Sequence, residues 1–67
     1  MLKNGVYVLK ENTSVFKDLN LNKNQEIEVV NNVLYMEGHM LPSGLQGTIN
    51  QWMGKNLQLF KLDNRNF

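Results

Sequence analysis

Between Glu26 and Leu41 the chain is forced to reverse twice within a few residues. Asn31-Asn32 separates EIEVV (26–30) from VLYM (33–36), and Glu37-Gly38 separates VLYM from His39-Met40-Leu41. Two-residue connections between strand-like runs select hairpin turns that need positive φ. Asn and Gly adopt that conformation at the least steric expense. Segment 26–41 therefore reads as a three-stranded antiparallel meander. In its first strand Glu26 and Glu28 alternate with Ile27 and Val29, which places the two apolar side chains inward.

The second tip, MEGHM (36–40), also holds the chain's one histidine beside two thioethers and a carboxylate. Met and His bind copper and Glu binds harder ions, but a metal site needs three or four converging ligands. Side chains beside a hairpin tip splay toward solvent, so the segment reads as a turn, with no metal or cofactor. A general base there would need a pocket and a third group. No such pattern is present, and the chain is expected not to be an enzyme.

The flanks complete a small sheet. GVYVLK (5–10) reads as a strand with Val6 and Val8 on one face and Tyr7 and Leu9 on the other. ENTS (11–14) and NKNQ (22–25) read as turns. SVFKDLNL (14–21) fits either a short strand or an irregular arm packed on the core. After Pro42 the period changes. Leu45, Ile49, Trp52 and Met53 form one helical stripe, which predicts a short helix over about 43–53. Ser43 and Gln46 match a capping box, and Gly54 matches a left-handed stop. Gly44 and Gly47 weaken the first turn, leaving Thr48–Met53 as the firm part. Trp52 is expected to anchor the helix on the sheet. LQLFKL (57–62) reads as a last strand or extended segment, Leu57 and Leu59 on one face and Phe60 and Leu62 on the other. Apolar residues on both faces imply either burial on both sides or one face kept for a partner. DNRNF (63–67) reads as a frayed tail.

The expected architecture is a single α+β domain over 1–67: a small, curled, barrel-like antiparallel sheet of four to five strands, with the meander 26–41 and one short helix. A chain of 67 residues buries a small core. With no cysteine, disulfides cannot staple it, and oligomerisation or a bound partner is the usual alternative. No segment has the apolar length of a membrane span, and MLKNGVYVLK lacks the apolar core of a secretion signal. These features lead us to expect a cytoplasmic protein.

Two resemblances add to this reading. LNLNKNQEIEVVNN (19–32) resembles the diverging turn and following strand of Src-homology-3 domains, with Asn24 where that family has Gly. The family's aromatic pair for proline-rich ligands has no counterpart after Val33, so the resemblance implies geometry and no ligand. The chain also resembles small accessory proteins of large tailed phages of the T-even type. Its basis is GVYVLKENT (5–13), NQWMGKNLQLFK (50–61) and an Asn- and Lys-rich composition. Eleven asparagines and no alanine match an AT-rich genome, such as that of a phage, a low-GC Gram-positive bacterium or a mycoplasma. That resemblance implies an early-expressed protein acting on a host protein in the cytoplasm of an infected bacterium.

Three functions are thus expected, in order. The first is a non-enzymatic interaction protein that binds a host protein, with Phe16, Tyr35, Trp52, Phe60 and Phe67 as candidate interface residues. The second is a nucleic-acid-binding small barrel that uses Tyr7, Lys10, Lys17 and Lys61. A net charge of +1 without a basic stripe gives this reading a weak electrostatic footprint. The third is a homo-oligomeric structural or assembly protein, paired through strand edges at the chain ends.

Overall fold

The computed structural model describes residues 2–16 and 19–63, with the side chains of Phe16 and Leu19 outside that description. Five strands form one antiparallel sheet: β1 (Gly5–Leu9), β4 (Glu26–Val30), β5 (Val33–Met36), β6 (His39–Met40) and β7 (Phe60–Asp63). Their order is β6-β5-β4-β1-β7. Between β1 and β4, β2 (Thr13–Phe16) and β3 (Leu19–Leu21) pair as a separate ribbon with an irregularity between Ser14 and Phe16. Helix α1 (Ser43–Lys55) follows β6, and a 3-10 turn (Leu57–Leu59) leads into β7. The architecture is α+β, as expected. The sheet is not closed into a barrel, because β6 and β7 stand at its two ends.

The meander forms as read. Asn31 and Asn32 take φ of 49° and 65°, and Glu37 and Gly38 take 52° and 79°. The pairs Val30↔Val33 and Met36↔His39 close the two tips. Asn24, in the turn before β4, has φ 74°, the conformation for which glycine is otherwise the default. The turn after β1 is shorter than expected. Thr13 and Ser14 belong to β2, and Thr13–Phe16 and Leu19–Leu21 pair as a two-stranded ribbon rather than an irregular arm.

Cross-strand partners share a face of the sheet. Tyr7, Leu9, Ile27, Val29, Leu34 and Phe60 point to one side and meet Leu21, Ile49 and Met53 in the core. The other side carries a row across all five strands: Asp63, Val6, Glu28, Tyr35 and Met40. Trp52, half-buried, lies edge-on to Phe60 at 5.6 Å and 82°, and Phe60 lies edge-on to Tyr7 at 6.3 Å and 84°. Such T-shaped contacts align ring edges with the electron-rich faces. Trp52 thus fills the anchoring role expected of it.

The helix ends depart from expectation. Pro42 takes the N-cap position, its carbonyl accepting from the Leu45 and Gln46 N–H groups at 2.8 and 3.2 Å. Ser43 is the first helical residue and makes no side-chain cap, so there is no capping box. Gln46 is used elsewhere: its Oε1 accepts from Leu34 N–H at 2.9 Å, and its Nε2 donates to the carbonyls of Leu34 and Leu41 at 2.9 and 3.0 Å. Gly54 is helical, and the helix runs on to Lys55. Asn56 stops it by donating its N–H to Met53 O at 3.0 Å and its Nδ2 to Trp52 O at 2.8 Å. Those carbonyls would otherwise be orphaned at the C-terminus.

Gly47 lies mid-helix, and a Cβ added there meets nothing within 4 Å. Gly47→Ala is therefore expected to stabilise the fold by about 0.5–1 kcal/mol, since glycine loses more backbone freedom on folding. Thermal unfolding reads this as a Tm higher by several degrees; an unchanged or lower Tm contradicts it.

Candidate functional site

Among the described candidate residues, Trp52, Phe60 and Tyr7 meet in edge-on ring contacts on the core side, and Tyr35, Lys10 and Lys61 are not part of that cluster. Phe60 is 6% exposed and belongs to the core, so it presents little surface of its own. Tyr7 is 4% exposed, with its hydroxyl donating to Lys3 O at 2.8 Å, so it is no stacking platform for a base. Tyr35 is half-buried on the outer sheet face, while Trp52 packs on the core side. Lys10 is exposed and reaches Gln58 O at 3.4 Å. Lys61 is exposed on the outer face opposite Val8. The Phe16 side chain, Lys17 and Phe67 lie outside the described residues. His39 is exposed at its tip, and among the described residues no three His, Cys, Asp or Glu side chains group together. Nor is any helix among them long and apolar enough to cross a membrane.

Burial pushes the Tyr7 phenol above its ordinary 10.0, and its bond to the Lys3 carbonyl lowers it by less. The folded state therefore holds this proton more tightly than the unfolded chain. The resulting stability is complete below pH 10.0 and is lost as pH rises through the folded pKa. Denaturation across this range should show Tyr7→Phe losing less stability than wild type. Equal losses would contradict the assignment.

Three leucines outside the candidate list do come together. The 3-10 turn presents Leu57, 47% exposed, and the β7 edge presents Leu62, 37% exposed. Leu62 is directly opposite Tyr7 on the core-facing side. The helix packs on β5 and reaches β7 through Trp52, which lies on Phe60, while Leu57 and Leu62 keep about half and a third of their surface exposed. With Leu2, Tyr7, Phe60 and the single charged residue Lys3, these leucines line a largely apolar cleft of about 340 Å³. Leu2 and Leu57 also border a second, more open groove of about 780 Å³ along the helix. That groove is lined by carboxamides, among them Asn32, Asn50 and Gln51, with Lys55 also on its wall. Asn50 Nδ2 donates to Asn32 Oδ1 at 2.8 Å, which engages one polar atom of each amide.

The signal for this surface was the two-faced apolarity of LQLFKL. The segment is not one strand, however. Residues 57–59 wind on from the helix as a 3-10 turn, so Leu57 and Leu59 do not share a strand face. Leu59 packs on the core and Leu57 stands half-exposed at its rim. The chain matches no family model, no curated protein sequence and no solved structure.

Proposed function

We propose that this chain is a non-enzymatic interaction protein that docks a segment of another polypeptide across the Leu57 surface. One observation carries the reading: Leu57, 47% exposed, stands where an apolar cleft meets a carboxamide-lined groove. An exposed leucine cluster beside a polar rim is the usual composition of a protein contact. Carboxamides donate and accept at once, as peptide groups do, and therefore suit a polypeptide backbone. The Asn-rich, Ala-free composition and the resemblance to T-even accessory proteins support a phage-encoded protein with a host protein as target, acting in the bacterial cytoplasm. The nucleic-acid alternative keeps Lys10 and Lys61 as exposed cations but loses Tyr7 to the core.

The test is capture from bacterial lysate with the tagged chain, with and without nuclease, using wild type and Leu57→Asp. A stoichiometric protein that survives nuclease and is lost with Leu57→Asp is expected. Capture that disappears with nuclease would favour nucleic acid, and recovery of the bait alone would remove the host-target reading.

A further inference from the structure

The second feature of this end of the molecule is the backbone edge of β7, which no described strand covers. Lys10 N–H donates to Leu59 O at 2.8 Å, and the β1–β7 register runs Leu9↔Phe60, Val8↔Lys61, Tyr7↔Leu62, Val6↔Asp63. Hydrogen-bonded and non-bonded pairs alternate along an antiparallel ladder. Lys61 and Asp63 therefore direct their backbone groups at β1. Phe60 and Leu62 direct theirs outward, away from the sheet.

We propose that two copies of the chain pair antiparallel through β7, with Leu62 opposite Leu62 of the second copy. An added strand must bond to the outward groups of Phe60 or Leu62, which restricts the twofold registers. Lys61 opposite Lys61, or Asp63 opposite Asp63, would place like charges face to face. Phe60 opposite Phe60 would run β7 against the 3-10 turn, which has no ladder to offer. Leu62 opposite Leu62 places Lys61 of each copy directly opposite Asp63 of the other. Two complementary pairs then lie on the outer face, where cross-strand charges are close enough to select register. On the inner face the two Leu62 side chains meet, and the two apolar clefts join into one surface. β7 is four residues long with no proline, and its one edge-blunting charge of the usual kind, Lys61, is matched by Asp63 in this register. The β6 edge offers two residues.

Sedimentation of the full chain over a concentration series tests the pairing. Wild type should show a reversible monomer–dimer equilibrium, weaker at high salt. Lys61→Asp and Asp63→Lys each turn both cross-copy pairs repulsive and should weaken association by at least about tenfold. The double variant Lys61→Asp/Asp63→Lys should restore it, with circular dichroism confirming that all three variants fold. The inference is overturned by a wild-type monomer up to millimolar concentration, by single variants that associate like wild type, or by a double variant that stays monomeric. It stands apart from the host-target reading: a monomer that still captures a protein through Leu57 defeats the pairing alone, and protection of β7 backbone amides by that protein would identify a foreign strand as the occupant.

Discussion

Gln46→Leu is expected to lower stability by about 3 kcal/mol, a large part of the roughly 3–10 kcal/mol that a domain of this size has in total. The reason lies at the end of the β5–β6 ladder. β6 pairs with β5 at Tyr35↔Met40 and Met36↔His39, and the chain then turns through Pro42 into the helix. At the next step Leu41 N–H still reaches Leu34 O at 3.0 Å, but Leu34 N–H bonds to Gln46 instead of a strand. Leu34 is 0% exposed, so water cannot take the place of the lost amide. Leucine would leave Leu34 N–H buried and unpaired, the expensive side of hydrogen-bond deletion. Gln46→Glu keeps an acceptor but loses the donor and sets a carboxylate oxygen against the carbonyls of Leu34 and Leu41. It is expected to be no better tolerated. Urea denaturation measures both variants; a Gln46→Leu midpoint equal to wild type would contradict this role.

Met53→Ala is expected to cost about 2–5 kcal/mol, the range for truncating a large buried side chain. Met53 is 0% exposed, on the helix face against the core, with Ile49 one turn before it. Its loss opens a cavity under the helix that close-packed neighbours fill only in part. Leu57, four residues on, provides the contrast. It is 47% exposed, and Leu57→Asp should cost only about 1 kcal/mol. Parallel thermal melts would show a large drop for the first variant and a small one for the second. A large drop for Leu57→Asp would make that leucine a core residue and remove the docking surface.

How far the sequence carried depended on the range of the interactions involved. The meander was legible because its determinants are local: Asn31-Asn32 and Glu37-Gly38 tolerate positive φ, and the alternation in Glu26–Val30 fixes which side is buried. The helix was legible from its stripe, but its ends were not. Ser43 and Gln46 have capping-box spacing, yet the Gln46 amide finds three backbone partners on β5 and β6, and tertiary bonding overrides the local motif. Gly54 invited a stop, yet Asn56 ends the helix by reaching back to Trp52 O. The site was the least legible part. An aromatic count cannot separate core from surface in so small a domain. Tyr7 and Phe60 went to the core, and Leu57 and Leu62 were left outside it. Which leucine is covered depends on where the helix and the 3-10 turn lie on the sheet, a long-range outcome that no window of sequence contains.

If a partner docks across the proposed Leu57 surface, its affinity depends on that leucine. Titration calorimetry of the purified captured protein against wild type, Leu57→Asp and the helix-surface control Thr48→Asp tests it most directly. Leu57→Asp is expected to weaken binding by about a hundredfold, the scale of a central interface residue, while Thr48→Asp binds like wild type. Wild-type affinity in Leu57→Asp would contradict it and place recognition on another face of the molecule.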